Sequence, residues 1–188
     1  MINDILIIDD IVPKSYQDEI EEIIFNNDNN FNWFLLKDVT TDGNTFNNIG
    51  FNHVFKKENG NITSNFLTFF MPMIYIATEK INVKYNNIIK ARTFLQTPRN
   101  NKLHNIPHVD LKYPHLVFLY YVNDSDGDTI LFKETLEDTP NPKDDYFFNQ
   151  KQVVSPKKGR GLLFNGNRYH ASSNPTKIPR CVINFDLN

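Results

Sequence analysis

The feature that most constrains this chain is the string of short strand-forming runs filling its second half. Segments 88–96, 116–122, 129–133, 152–156, 161–164, 170–172 and 180–187 are rich in aliphatic and aromatic residues, and turn residues separate them. No helical periodicity intervenes. Parallel neighbours need long crossovers, usually helices, so strands joined this briefly pair antiparallel. The expected core is an antiparallel sandwich or barrel. The first 87 residues read differently. A short strand at 5–8 leads through Pro13 to a helix from about Tyr16, capped by Ser15, with Ile20, Ile23 and Ile24 at helical spacing. Strands at 31–36 and 50–56 flank a loop rich in Asn, Asp, Thr and Gly. A second helix starts near Ser64 or Asn65, with Phe66, Leu67, Phe70, Met71, Ile74 and Ile81 as its buried stripe and Pro72 as a kink or delayed start. The expected class is α+β, a single domain of 188 residues in which 1–87 supports a β-rich core at 88–188.

Composition narrows the function classes. Hydrophobic residues make up 40% of the chain, including 16 Phe and 8 Tyr, enough for a sizeable core. The net charge of −2 and the lack of a long basic run argue against a nucleic-acid binder. Cys181 is the only cysteine, which excludes an internal disulfide and a Cys-rich metal site. No apolar run approaches the roughly 20 residues that span a bilayer. No positive segment leads an apolar one at the N-terminus, so a secretory signal is not expected, and the expected setting is cytoplasmic.

The chemistry-bearing stretch is His108-Val109-Asp110. In a strand, residues i and i+2 share a face, so this His and Asp can grip one ion. A mixed imidazole and carboxylate set with open positions suits divalent iron. Alone the pair is a weak signal, since chance supplies about 0.4 such pairs in a chain of this composition. His170 follows an apolar run and a polar turn, which sets it at a strand edge facing the mouth of a sandwich. Arg180 opens a final strand that is otherwise apolar. An inward guanidinium there needs an anion, and its planar fork suits a carboxylate. Each residue also has a plainer reading: a core histidine bonded to backbone, or a strand-end arginine reaching water.

Taken together, these residues resemble the Fe(II)- and 2-oxoglutarate-dependent dioxygenase superfamily, most of all its prolyl 4-hydroxylase-like branch. The resemblance runs from about Ile88 to the C-terminus. Besides His108-x-Asp110, His170 and Arg180, it includes Leu119-Tyr120-Tyr121-Val122-Asn123 before an acidic turn. Gly127-Asp128-Thr129-Ile130-Leu131-Phe132 is similar to a Gly-Gly-x-x-x-x-Phe segment, with Asp128 replacing the second glycine. Gly159-Arg160-Gly161-Leu162-Leu163-Phe164 is similar to the strand that leads to the distal histidine.

The resemblance implies a double-stranded β-helix, or jelly roll, buttressed by N-terminal helices. It implies His108, Asp110 and His170 as ligands of Fe(II) and Arg180 as the partner of the C5 carboxylate of 2-oxoglutarate. Tyr121 aligns with a tyrosine that hydrogen-bonds the cosubstrate, and Thr129 and Asn184 fall at pocket-lining positions. The implied activity consumes O2 and 2-oxoglutarate, releases succinate and CO2, and hydroxylates a prolyl or other peptide side chain, with small molecules as further substrates of this superfamily. Asp110 speaks against a halogenase, where a smaller residue opens room for halide. The segment 97–107 has no counterpart for a second cosubstrate tyrosine. Two alternatives stand beside this reading: a non-catalytic sandwich that binds metal or a 2-oxo acid, and a cupin-like metalloenzyme without 2-oxoglutarate. The second leaves an inward Arg180 unexplained.

Other features read as structural. Asp124, Asp126 and Asp128 alternate like a calcium loop, but Thr129 stands where such a loop needs Gly and Thr135 where it needs Glu. An acidic hairpin turn is expected there. His104 and His115 are expected beside the site or at the surface, His53 within an N-terminal strand, and Cys181 as buried packing. Lys157-Lys158-Gly159-Arg160 reads as a hairpin tip. Segments 98–107 and 134–150 are long enough to act as lids.

Overall fold

The computed structural model describes residues 5–26, 28, 30–39, 48–140 and 146–188. Its elements are β1 (Leu6–Ile8), α1 (Lys14–Phe25), β2 (Phe34–Leu36), β3 (Gly50–Lys56), α2 (Phe66–Lys80), β4 (Ile88–Gln96), β5 (Leu116–Tyr121), β6 (Thr129–Thr135), β7 (Gln150–Val154), β8 (Gly161–Asn165), β9 (Arg168–Ser172) and β10 (Arg180–Leu187). The larger sheet has the order β1-β8-β5-β10-β4-β3-β2 and the smaller β7-β6-β9. All strand pairs in both are antiparallel.

Strand β10 shows why the layers stack as they do. It is central and buried along its whole length, so both of its faces must be covered. Cys181, Ile183, Phe185 and Leu187 pack with Ile20 and Ile24 of α1 and Phe70, Met73, Ile74 and Ala77 of α2. The alternate residue Val182 packs with Tyr121, Leu131, Val154 and Phe164, between the two sheets. The small sheet is sealed outside by Ile130, Phe132, Tyr169 and Ala171, with Val109 and Phe148 against them. The architecture is two helices on one face of a two-sheet β-sandwich. No helix among the described residues is long and apolar enough to cross a membrane.

Several elements differ from expectation. Helix α1 begins at Lys14 and Pro13 is its N-cap, with no side-chain cap, so Ser15 lies within the helix. Proline fixes the φ that a helix start requires and lacks only a donor that has no partner there. Gln17 is fully buried in α1, which the period of isoleucines does not reveal. In α2, Met73 joins the buried face while Phe66, Met71 and Ile81 are only partly buried. Pro72 lies inside α2 and removes one intrahelical bond, while the flanking Phe70, Met73 and Ile74 are buried. The chain at 104–108 is an additional strip of the small sheet, not a free lid: His104 bridges Ser173 and His108 bridges His170. Of the other expected lid, Thr135 belongs to β6 and residues 141–145 lie outside the described residues, as does most of the loop between β2 and β3.

The basic turn at 157–160 fastens the helical layer to the sandwich. Arg160 and Lys157 pair with Asp9, and Lys158 pairs with Asp18 and Glu21 of α1. At its centre Gly159 has φ +79°, and a Cβ there would lie 2.2 Å from the Gln17 side-chain oxygen. That oxygen belongs to an amide fixed by bonds to the Val12 carbonyl (2.8 Å) and Asp10 (3.1 Å). Gly159→Ala is therefore expected to cost about 2 kcal/mol, a fall of ~5 °C in Tm. Thermal unfolding followed by circular dichroism measures it, and an unchanged Tm would contradict this packing.

Candidate active site

Seven even-numbered side chains on two neighbouring strands face one cavity. Arg180, Val182 and Asn184 of β10 and Lys90, Arg92, Phe94 and Gln96 of β4 line a space of about 400 Å³, and His108, Asp110 and His170 close it from the small-sheet side. The β4–β10 register sets Gln96 beside Arg180, Arg92 beside Asn184 and Lys90 beside Asp186.

His108 and His170 are held rigidly. Their backbones exchange two N–H···O bonds of 2.9 Å. The Nδ1 of His108 lies 3.0 Å from the Ile106 carbonyl and that of His170 lies 3.2 Å from the Arg168 carbonyl. A carbonyl only accepts, so both rings carry their proton on Nδ1 and leave Nε2 as a lone pair. His170 Nε2 stands 3.4 Å from Asp110 Oδ2. Two acceptors at that separation repel unless a cation lies with them. Ligand atoms of all three residues fall within 4.8 Å of one another. Burial pushes His108 down to about 4, so its ring is neutral near pH 7 and available as a ligand. Burial opposes the charge on Asp110, but the Arg92 guanidinium beside it holds the carboxyl well below the usual range. Arg92 Nη2 donates to Asp110 Oδ1, and Asn184 Nδ2 donates to Oδ2 at 3.2 Å. The donor set and its second layer fit a divalent cation.

The other end of the cavity belongs to Arg180, which is only 4% exposed. Its Nη1 donates to Gln96 Oε1 (3.1 Å) and its Nη2 to Thr129 Oγ1 (2.7 Å). Its Nε has no partner, and among the described residues no carboxylate pairs with it. Burial pulls the guanidinium below its usual range. Tyr121 lies behind it, with its hydroxyl donating to Thr129 Oγ1 at 2.7 Å and its ring 5.8 Å from the guanidinium carbon. Gln96 in turn donates to Ser172 Oγ, which also accepts from Asn105. A buried cation whose hydrogen-bond partners are all neutral is suited to an anion.

Of the residues nominated from sequence, His108, Asp110, His170, Arg180, Thr129 and Asn184 line the cavity, while Tyr121 stands behind Thr129. Asn184 contacts Asp110, so it serves the His/Asp cluster and not the Arg180 end. Arg92 was not nominated, yet it is the ion-pair partner of Asp110. Its signal was available: Lys90 and Arg92 alternate within an otherwise largely apolar strand, the same reasoning that singled out Arg180. The acidic run is structural. Asp124 accepts from the Lys158 amide, Asp126 gathers the amides of residues 176–178, and Asp128 pairs with Lys102. His115 is buried with Nδ1 toward the Tyr113 carbonyl, and His53 is buried and stacked on Phe31.

Asp186 is a buried carboxyl with no partner on either oxygen. Burial, then the charge on Asp110, raises it well above the ordinary carboxyl value. Unfolded, it titrates near ~3.9. Above that pH the folded chain retains a proton that the unfolded chain has released, so stability falls as pH rises through this window. Asp186→Asn is expected to match wild type near pH 4 and to exceed it in Tm increasingly toward pH 8. Melting curves across that range test it, and a difference independent of pH would contradict the buried, protonated state.

No protein-family model matches this chain, and no curated protein matches it in sequence. Its structure matches solved ones over nearly its full length. A prolyl-4-hydroxylase from Pseudomonas putida aligns with TM-score 0.60 at 9% identity, covering 98% of this chain and 92% of that one. A Trichoplax adhaerens prolyl hydroxylase, solved with a peptide fragment of the hypoxia-inducible factor oxygen degradation domain, aligns with TM-score 0.63 at 14% identity, over 98% and 83%. A 2OG-Fe(II) oxygenase family oxidoreductase from Burkholderia pseudomallei aligns with TM-score 0.66 at 7% identity, over 98% and 85%. This chain has the fold of the 2-oxoglutarate- and Fe(II)-dependent oxygenases, prolyl 4-hydroxylases among them.

Proposed function

We propose that this protein is an Fe(II)- and 2-oxoglutarate-dependent dioxygenase that hydroxylates a prolyl or other peptide side chain. The observation that carries the reading is the pairing, within one cavity, of a His/Asp/His cluster with a buried arginine that lacks a carboxylate partner. The strand order agrees with a jelly roll. In chain order the strips alternate: β4 in the large sheet, 104–108 in the small, β5 large, β6 and β7 small, β8 large, β9 small, β10 large.

In this reading His108, Asp110 and His170 hold the iron. Bound iron would supply O2 activation coupled to decarboxylation of 2-oxoglutarate, giving succinate, CO2 and a hydroxylated product. The chain's own residues bind and orient. Arg180 receives the far carboxylate of the cosubstrate on its buried face, backed by Thr129 and Tyr121. The backbone carbonyls of Ile106 and Arg168 keep both imidazole protons on Nδ1. Arg92 and Asn184 keep Asp110 ionised and aimed. The apolar wall of Leu119, Phe94 and Val182 limits water around the reacting centre.

The test is an anaerobic titration of wild type with Fe(II) and 2-oxoglutarate, following the visible charge-transfer band of an iron-chelated oxo acid. A band that saturates near one equivalent of each supports the reading. A folded protein that gives no band overturns it.

A further inference from the structure

The cavity continues past the metal cluster, away from Arg180. Strand β4 lines it throughout. Gln96 meets Arg180 at one end, Arg92 meets Asp110 in the middle, and Lys90 lies two residues beyond Arg92 on the same face. At about 3.3 Å per residue, Lys90 stands roughly 7 Å beyond Arg92 and ~20 Å from the Gln96 end.

Lys90 is half-buried in the cavity wall, and among the described residues no carboxylate or other acceptor reaches its amine. Asp186 stands opposite it in the strand register, but both Asp186 oxygens are unpartnered. Glu58 accepts from the Tyr113 hydroxyl at the exposed rim. Arg92 spends one nitrogen on Asp110, while its buried Nε has no acceptor. Around the cavity three side-chain cations, Lys90, Arg92 and Arg180, face two carboxylates, Asp38 and Asp110. The charges of a bound divalent metal and a doubly charged 2-oxo diacid would cancel, leaving these lining side chains one positive charge in excess.

The geometry points to a substrate that carries a carboxylate, seated on Lys90 and Arg92 at the end of the cavity opposite Arg180. This rests on the dioxygenase reading and narrows its substrate class. A neutral peptide segment would leave the Lys90 amine without a partner. A small carboxylic acid, or an acidic side chain next to the target residue, supplies one.

The experiment uses the full chain with Fe(II) and 2-oxoglutarate. Matched pairs differ only in charge: N-acetyl-proline against N-acetyl-prolinamide for the small-acid source, and terminally blocked Pro-Glu against Pro-Gln peptides for the acidic side chain. Two readouts are taken: perturbation of the anaerobic charge-transfer band on binding, and succinate formed in air. The acid of at least one pair is expected to bind about tenfold or more tightly than its amide, as a charged hydrogen bond supports. Lys90→Met is expected to bring that ratio close to one while keeping the chelation band, and Lys90→Arg to restore it. The proposal is overturned where the band is intact and acids and amides perturb it equally. It is equally overturned where no carboxylate perturbs it at roughly 10 mM, or where Lys90→Met keeps the preference. Absence of the band in wild type marks failure of the dioxygenase reading itself.

Discussion

Asp110→Ala is expected to abolish iron-dependent chelation of 2-oxoglutarate and to destabilise the fold, and the two effects can be separated. Partners that merely orient a metal ligand are worth 10–100-fold in affinity, so removing the ligand itself is expected to weaken metal binding by more than ~100-fold. Anaerobic calorimetry with Fe(II) or Mn(II) reads that loss. The stability effect has another source. Asp110 neutralises Arg92, whose side chain is only 18% exposed and whose Nε already lacks a partner. Removing one member of such a pair strands the other and costs about 3 kcal/mol. Asp110→Asn keeps the shape and one acceptor oxygen, which Arg92 can use while Asn184 loses its partner, so its melting temperature is expected to lie between those of wild type and Asp110→Ala, while metal affinity stays low. Adding Arg92→Met to Asp110→Ala removes the stranded cation. It is expected to recover melting temperature without recovering metal, and the double-mutant cycle gives the coupling directly. Metal affinity within tenfold of wild type in Asp110→Ala would remove this residue from the ligand set.

Whether a feature was legible in the sequence depended on how local its cause is. Strand β10 announces itself through the apolar residues Cys181, Val182, Ile183 and Phe185, which follow the turn residues around Pro179. His108 and Asp110 converge as their i, i+2 spacing suggests, although only His108 makes a β-bridge and Asp110 lies in the bend beyond it. Arg92 went unnoticed because its reason for being there, Asp110, is 18 residues away in a bend outside both sheets. Residues 104–108 have no strand-like composition, since Asn105 and Pro107 break the pattern. Their place in the small sheet comes from partners more than 60 residues downstream, Ser173 and His170. Gln17 is polar and sits on a helix, yet it is buried because Asp10, Val12 and the Gly159 turn enclose it. The Asn184 contact illustrates the same limit. A pocket position follows from strand alternation, but which end of the pocket it serves depends on the register with β4.

Arg180→Met is expected to make the free protein more stable and to remove its affinity for 2-oxoglutarate. The guanidinium is buried with only neutral partners, Gln96 and Thr129, so holding it there without an anion is unfavourable, and an apolar side chain of similar length relieves that penalty. With the cosubstrate present the sign reverses. Truncating one side of a buried, hydrogen-bonded charge pair costs about 2–5 kcal/mol, which is roughly 30- to several-thousand-fold in binding. Arg180→Lys keeps the charge but loses the planar fork, and is expected to fall between the two. A comparison of oxo acids isolates the contact. Wild type is expected to chelate 2-oxoglutarate at least ~100-fold more tightly than 2-oxobutyrate, which keeps the chelating end and lacks the far carboxylate. Arg180→Met is expected to bind both alike, with its metal affinity unchanged because Arg180 touches none of the three ligands. A preference for the diacid that survived in this variant would move the carboxylate site elsewhere, and the remaining cations on the cavity wall, Arg92 and Lys90, are where it would have to go.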